Sequence, residues 1–200
     1  MSHPNVSIID FIYHVRSYLT SLNSEHLAPF LSRWPEPGGA TRSVPKFTLP
    51  VLSWLPKMIK AATPDTLPIV EQVTALVDQL AWGQTYSPED FGPSFFERYG
   101  WTEVVGLRGI VASNRLACGF LLLGPETEYP LHRHEAEEVY IPLTGGTNWL
   151  RGNEGWISRE AGRPIVHETW TPHAMRTGAA PLMAVYLWHG GDLTQKSLID

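Results

Sequence analysis

The chain has 200 residues, enough for one domain with a sizeable core or one domain with a helical extension, and too few for a second catalytic module. Its 15 basic and 20 acidic residues give a net charge of -5, and no Lys/Arg cluster suits a phosphate backbone, which argues against a nucleic-acid partner. The single cysteine, Cys118, excludes a disulfide framework or a thiolate metal site within one chain, and its setting in "LACGFLLLG" predicts a small buried core residue.

Along the chain, "NVSIIDFIYHVRSYLTSL" comes first. Asp10, His14 and Arg16 interrupt its apolar run well short of the roughly 20 residues a membrane span needs, and no signal peptide is recognisable, so the expectation is a cytoplasmic protein with no membrane partner. Ile8, Ile12, Val15, Leu19 and Leu22 recur at steps of three and four, which predicts an amphipathic helix. "RWPEPGGATRSVPKF" has the Pro and Gly content of a loop, and a short helix is expected from Val51 to Ala62. A further helical stripe, Leu67, Val70, Val73, Val77 and Leu80, follows "TPDT", where Thr63 is the expected cap and Pro64 the first helical residue.

After about Gly100 short runs rich in Val, Ile, Leu, Trp and Tyr alternate with Gly, Pro and Asn. The expected strands are "TEVVGLRGIVAS", "RLACGFLLLG", "EEVYIPLTG", "TNWLRG", "GWISRE", "PIVHET" and "PLMAVYLWHG". Helices first and strands afterwards predict a mainly β fold, a sandwich or jelly-roll barrel over residues 101–200 covered by a helical N-terminal extension over residues 1–100.

The chemistry concentrates in "PLHRHEAEEVYIPLTGG". Side chains alternate faces along a strand, so His132 shares a face with His134, and Glu138 with Tyr140; if the two pairs lie on paired strands joined by "EAE", all four converge. Imidazole nitrogens and a carboxylate suit one divalent transition metal ion such as Zn, Fe or Mn, and "TWTPHAMRTG" offers a further ligand, His173. Arg133, between the two histidines, points to the opposite face. A phenol is a poor base at neutral pH, but a cation a few ångströms away favours phenolate, so Tyr140 beside such an ion is a candidate base.

His132, His134, Glu138 and Gly145 match position by position the first motif of the cupin superfamily, which the chain resembles. It departs from that pattern where a glycine usually stands six residues before the first histidine. In the second motif Glu168 and Trp170 replace the usual P-x-G and Thr177 the usual Asn, leaving His173 alone. The H-x-H-x-x-x-E-x-Y motif, Tyr129 before it, the Trp-rich helical half and the C-terminal "AVYLWHGGDL" are similar to the cupin-type dimethylsulfoniopropionate (DMSP) lyases of marine bacteria, the Q-type family.

That resemblance implies cleavage of a small zwitterionic sulfonium substrate to acrylate and dimethyl sulfide. The metal, held by His134, Glu138, His173 and, unless it instead orients substrate, His132, acts as Lewis acid, and Tyr140 takes the α-proton. Tyr129, Trp188 and Tyr186 are candidates for the aromatic faces that hold the sulfonium, and Tyr129 is alternatively a second phenol that binds the carboxylate or shares base duty. The other tryptophans, Trp101 among them, are expected to be core, and His167 and His189 to lie outside the ligand set. Two further readings use the same residues: an Fe-dependent cupin dioxygenase, and a metabolite-binding cupin without catalysis.

Overall fold

The computed structural model describes residues 7–200, so the first six residues of the expected extension lie outside the described residues. Helix α1 (Ile8–Ser21) starts where the Ser7 hydroxyl accepts the amide of Asp10, and it buries Phe11, Ile12, Val15 and Leu19. Its buried stripe is the predicted one with Phe11 added, while Ile8 and Leu22 are only partly buried.

Short helices follow: α2 (Ala28–Leu31), α3 (Leu55–Ala61, entered through a 3-10 turn at Pro50–Trp54), α4 (Leu67–Ala75), α5 (Pro88–Phe91) and α6 (Pro93–Phe96). Helix α4 begins later than "TPDT" suggests. The Thr66 hydroxyl donates to the Leu143 carbonyl at 2.6 Å and accepts the Thr63 amide at 3.0 Å, which makes residues 63–66 a docked turn and leaves Thr66 at the cap position.

The described residues form twelve strands: β1 (Trp82–Gly83), β2 (Tyr99–Gly106), β3 (Val111–Ala112), β4 (Ala117–Leu123), β5 (Glu128–Arg133), β6 (Glu137–Pro142), β7 (Thr147–Arg151), β8 (Trp156–Arg159), β9 (Ile165–His167), β10 (His173–Thr177), β11 (Leu182–His189) and β12 (Leu198–Ile199); β2 and β3 divide the first predicted run, β4, β6 to β9 and β11 follow the other six, and β1, β5, β10 and β12 lie outside the predicted runs. They form two sheets, one in the order β1-β2-β4-β11-β6-β9 with β3 beside β2, the other β12-β5-β10-β7-β8. The fold is mainly β, a jelly-roll barrel with helices added at its N-terminal side.

The larger sheet is buried on both faces, so β4 and β11 read as nearly unbroken apolar runs instead of alternating ones. Cys118, Phe120 and Leu122 of β4 join Met183, Val185 and Leu187 of β11 in a core shared with α1 to α4; the ring of Phe11 stacks on Phe120 at 5.7 Å. The opposite face of the same strands, Leu121, Leu123, Tyr140, Ala184 and Tyr186, looks into the barrel toward Trp149 and Met175. Thus α1 to α4 cover the outer face of the barrel, and the aromatic residues Phe91, Phe95 and Phe96 of α5 and α6 pack on the inner cluster.

Candidate active site

Strands β5 and β6 are not paired. "EAE" leads from the smaller sheet to the larger, so His132 and His134 face Glu138 and Tyr140 across the barrel interior. This corrects the hairpin expected between them. The period-two argument survives, since each pair still shares one face; only the partner of each strand differs. His173 stands directly opposite His132 in the antiparallel pair of β5 and β10.

The four groups meet in a space closed to solvent, with Glu138 fully buried and His132, His134 and His173 at most 2% exposed. Each imidazole is oriented by the backbone. Nδ1 of His132 lies 2.7 Å from the Pro130 carbonyl, that of His134 2.9 Å from Ala136, and that of His173 2.8 Å from Thr171. A carbonyl only accepts, so each Nδ1 carries the proton and each Nε2 keeps a lone pair. Those of His134 and His173 lie 3.1 and 3.0 Å from the same Glu138 oxygen, Oε2.

Lone pairs aimed at a carboxylate oxygen repel it unless a cation lies between them. A candidate ligand atom from each of the three histidines lies within 4.8 Å of the others. The donor set, nitrogen and carboxylate oxygen with its second coordination layer built, therefore fits a divalent transition metal ion. Burial works against charge on Glu138, but positive charge at Nε2 of His134 and His173, whether a proton or a bound cation, outweighs it and holds the carboxyl well below its usual range.

The other carboxylate oxygen is fixed by Trp188, whose indole N–H donates to Glu138 Oε1 at 2.5 Å while its ring lies 4.1 Å from that of His134. Trp188 thus supports the ligand cluster in addition to lining a cavity of about 360 Å³ with Tyr129, Glu138, Tyr140 and Tyr186. Burial, followed by the neighbouring Glu138 charge, pushes the Tyr140 phenol well above its ordinary range. Tyr129 stacks on His132 at 4.3 Å, and its hydroxyl is 2.9 Å from that of Tyr86. Burial is also the first cause of the rise in the phenol pKa of Tyr129 and of Tyr186.

His167, expected from the sequence to lie outside the ligand set, borders the cluster, whereas Tyr86 and Glu103 escape the sequence reading. His167 pairs with Glu138 in register and stacks on His173 at 4.1 Å, fully buried, with neither ring nitrogen hydrogen-bonded. Tyr86 enters from the segment before α5. Trp101, expected in the core, and Glu103 both line the cavity from β2. Arg133 does point away, and pairs with Asp200 at 3.0 Å. His189 lies outside the cluster, 3.1 Å from Glu137. Trp170, where the cupin pattern has glycine, keeps a positive φ of 61°, and its amide donates to the His134 carbonyl at 2.9 Å. Cys118 is free and buried, as expected. No helix among the described residues is long and apolar enough to cross a membrane.

Residues 26–184 match the dimethylsulfoniopropionate lyase family. Among curated proteins, the dimethylsulfoniopropionate lyase DddQ of Ruegeria pomeroyi is 35% identical over 111 residues, 54% of this chain and 54% of its own. A putative dimethylsulfoniopropionate lyase of Cereibacter sphaeroides, DddL, is 30% identical over 121 residues, 57% of this chain and 47% of its own. The matches span about half the length of these curated relatives. A chain from the crystal structures of the DMSP lyases RdDddP and RnDddQII superposes with a TM-score of 0.79 at 25% identity, covering 94% of this chain and 98% of that one. The crystal structure of DddQ from Ruegeria pomeroyi gives a TM-score of 0.84 at 24% identity over 96% of this chain and 95% of that one, a likeness of fold.

Proposed function

As the chain belongs to the dimethylsulfoniopropionate lyase family, we propose that it cleaves dimethylsulfoniopropionate to acrylate and dimethyl sulfide by a β-elimination that Tyr140 starts. The observation that carries this reading is the placement of a phenol, Tyr140, beside Glu138 on the wall of a cavity that reaches the histidines through Glu138, whose Oε2 lies 3.1 and 3.0 Å from His134 and His173. His134, Glu138 and His173, with His132 as a fourth donor, would hold one divalent ion. Bound there, such an ion supplies Lewis acidity to the substrate carboxylate and positive charge that offsets the effect of Glu138 and burial on the Tyr140 phenol.

The Tyr140 oxygen, as phenolate, takes the proton from the carbon next to the substrate carboxylate. The electron pair left behind forms the carbon–carbon double bond as the carbon–sulfur bond breaks, and the sulfur keeps the bonding pair. Dimethyl sulfide leaves as a neutral thioether and needs no proton, acrylate remains as an anion, and the proton passes from Tyr140 to solvent. Tyr129 binds the carboxylate end, with Tyr86 fixing its hydroxyl, and Tyr186 and Trp188 present ring faces to the sulfonium.

The test is incubation of metal-replete protein with dimethylsulfoniopropionate in the absence of oxygen, following headspace dimethyl sulfide and dissolved acrylate. Equal amounts of both are expected. Turnover that stops without oxygen, or no release of either product, contradicts the reading.

A further inference from the structure

The cavity contains a second buried carboxylate that the elimination does not use. Glu103, on β2, is 4% exposed and lines the cavity. Its Oε1 accepts the amides of Arg108 at 2.6 Å and Gly109 at 2.9 Å, which hold the turn between β2 and β3. Among the described residues no cationic side chain pairs with it.

Two guanidinium groups act on Glu103 without forming an ion pair with it, and Arg108 lines the same cavity. Arg42 donates to the Gly109 carbonyl at 2.6 Å, and Arg108 donates to the Thr194 carbonyl at 2.9 Å while its guanidinium lies 5.8 Å from the ring of Trp101. Burial pushes the Glu103 carboxyl above its ordinary range, against the pull of the two amides and the more distant guanidiniums. A turn could be anchored by a neutral amide side chain at less cost, since an unpaired acid in a low-dielectric cavity is destabilising unless a cation comes to it.

The register shows where that cation would stand. Glu103 pairs with Gly119, Gly119 with Tyr186, and Tyr186 with Tyr140, so acid, aromatic ring and base share one row across β2, β4, β11 and β6. Three strand spacings of ~4.8 Å separate the two ends of the row. Gly119 leaves room for that ring: a Cβ there would lie 1.9 Å from the Thr102 carbonyl oxygen and 2.7 Å from Cε1 and the hydroxyl of Tyr186, so the Tyr186 ring lies across β4 toward Glu103. The row runs from Tyr140, past the Tyr186 ring, to a carboxylate.

We infer that Glu103 is the counter-ion for the cationic end of the substrate, selecting sulfonium or ammonium over uncharged groups of the same shape. The inference rests on the elimination proposed above. A zwitterion held with its carboxylate toward the histidine cluster extends its positive end along this row. That charge disappears when the thioether leaves, so Glu103 holds substrate and lets the neutral product go.

Calorimetric titration of metal-replete protein with the zwitterion β-trimethylammoniopropionate, and with 4,4-dimethylpentanoate, the isosteric carboxylate in which carbon replaces nitrogen and the far end is uncharged, tests the assignment. The wild type is expected to bind the cationic ligand at least about ten-fold more tightly. Glu103→Gln keeps an oxygen for the two amides and removes the charge; it should abolish most of that preference by weakening the cationic ligand alone. Equal affinities in the wild type, or a variant that weakens both ligands by one factor, overturns the proposal, and the wild-type comparison stands even if the variant does not fold. Dimethyl sulfide release by the wild type, measured alongside, separates the two readings. Preference without release sinks the elimination and keeps the cation site, whereas release without preference sinks only the role of Glu103.

Discussion

Glu138 Oε2 lies 3.0 Å from Nε2 of His173, although the two residues belong to opposite sheets. The contact between Glu138 and His173 thus joins the two sheets of the barrel at one point. Single alanine substitutions at His134, Glu138 or His173 should reduce bound metal from near one equivalent to nearly none and abolish turnover. His132→Ala should retain part of the metal if that residue mainly orients substrate. Metal analysis of the purified variants checks this, and near-stoichiometric metal in all three contradicts the ligand assignment.

Trp188 holds the other oxygen of that carboxylate. Trp188→Phe keeps a ring against His134 and deletes the N–H, so metal affinity should fall about 10- to 100-fold, the usual effect of losing a partner that orients a ligand. Competition with a chelator of known affinity measures it; unchanged affinity means that the Trp188 bond does not orient Glu138.

The metal-free protein should lose stability in acid. Burial first, then the imidazole of His173, hold both His132 and His167 well below the ordinary histidine value of 6.5. Below that value the unfolded chain takes up protons that the folded chain refuses, so folding stability is fully present above about pH 6.5 and declines as pH falls. Thermal unfolding of chelator-treated protein should show Tm decreasing steadily from about pH 7.5 to pH 5.5, and His167→Phe should reduce the slope. A flat profile would mean that neither ring is buried in neutral form.

Helix α1 is part of the core. Phe11, at 0% exposure, lies against Phe120, so Phe11→Ala should cost about 3–5 kcal/mol in chemical denaturation. Deletion of residues 1–22 should leave an insoluble or poorly folded chain. A truncated protein that folds and turns over normally contradicts this.

Strand positions were legible because Gly, Pro and Asn punctuate apolar runs, and His132, His134, Glu138 and Tyr140 because strand side chains alternate faces. Sheet membership was not. A three-residue link serves a hairpin or a crossing between sheets equally well, and the contacts that decide for "EAE" lie far away, in β10 and β11. Glu103, and the packing of His167 on His173, stayed hidden for the same reason. Each residue enters the site through register, Glu103 with Gly119 and His167 with Glu138, and neither sits in a local motif. The start of α4 turned on the Leu143 carbonyl, remote in sequence, which chose Thr66 over Thr63.

The most direct test of the account compares Tyr140→Phe with Tyr129→Phe, measuring kcat on dimethylsulfoniopropionate and metal content in the same preparations. Both phenols line the cavity, but Tyr140 is the one beside Glu138, while the Tyr129 hydroxyl is bonded to Tyr86. Loss of a general base typically costs about 10² to 10⁴ in rate. Tyr140→Phe should therefore lose that much kcat with its metal intact, and Tyr129→Phe much less. A dead Tyr129→Phe beside a nearly wild-type Tyr140→Phe would move the base to the other phenol, and full activity in both would rule out tyrosine as the base.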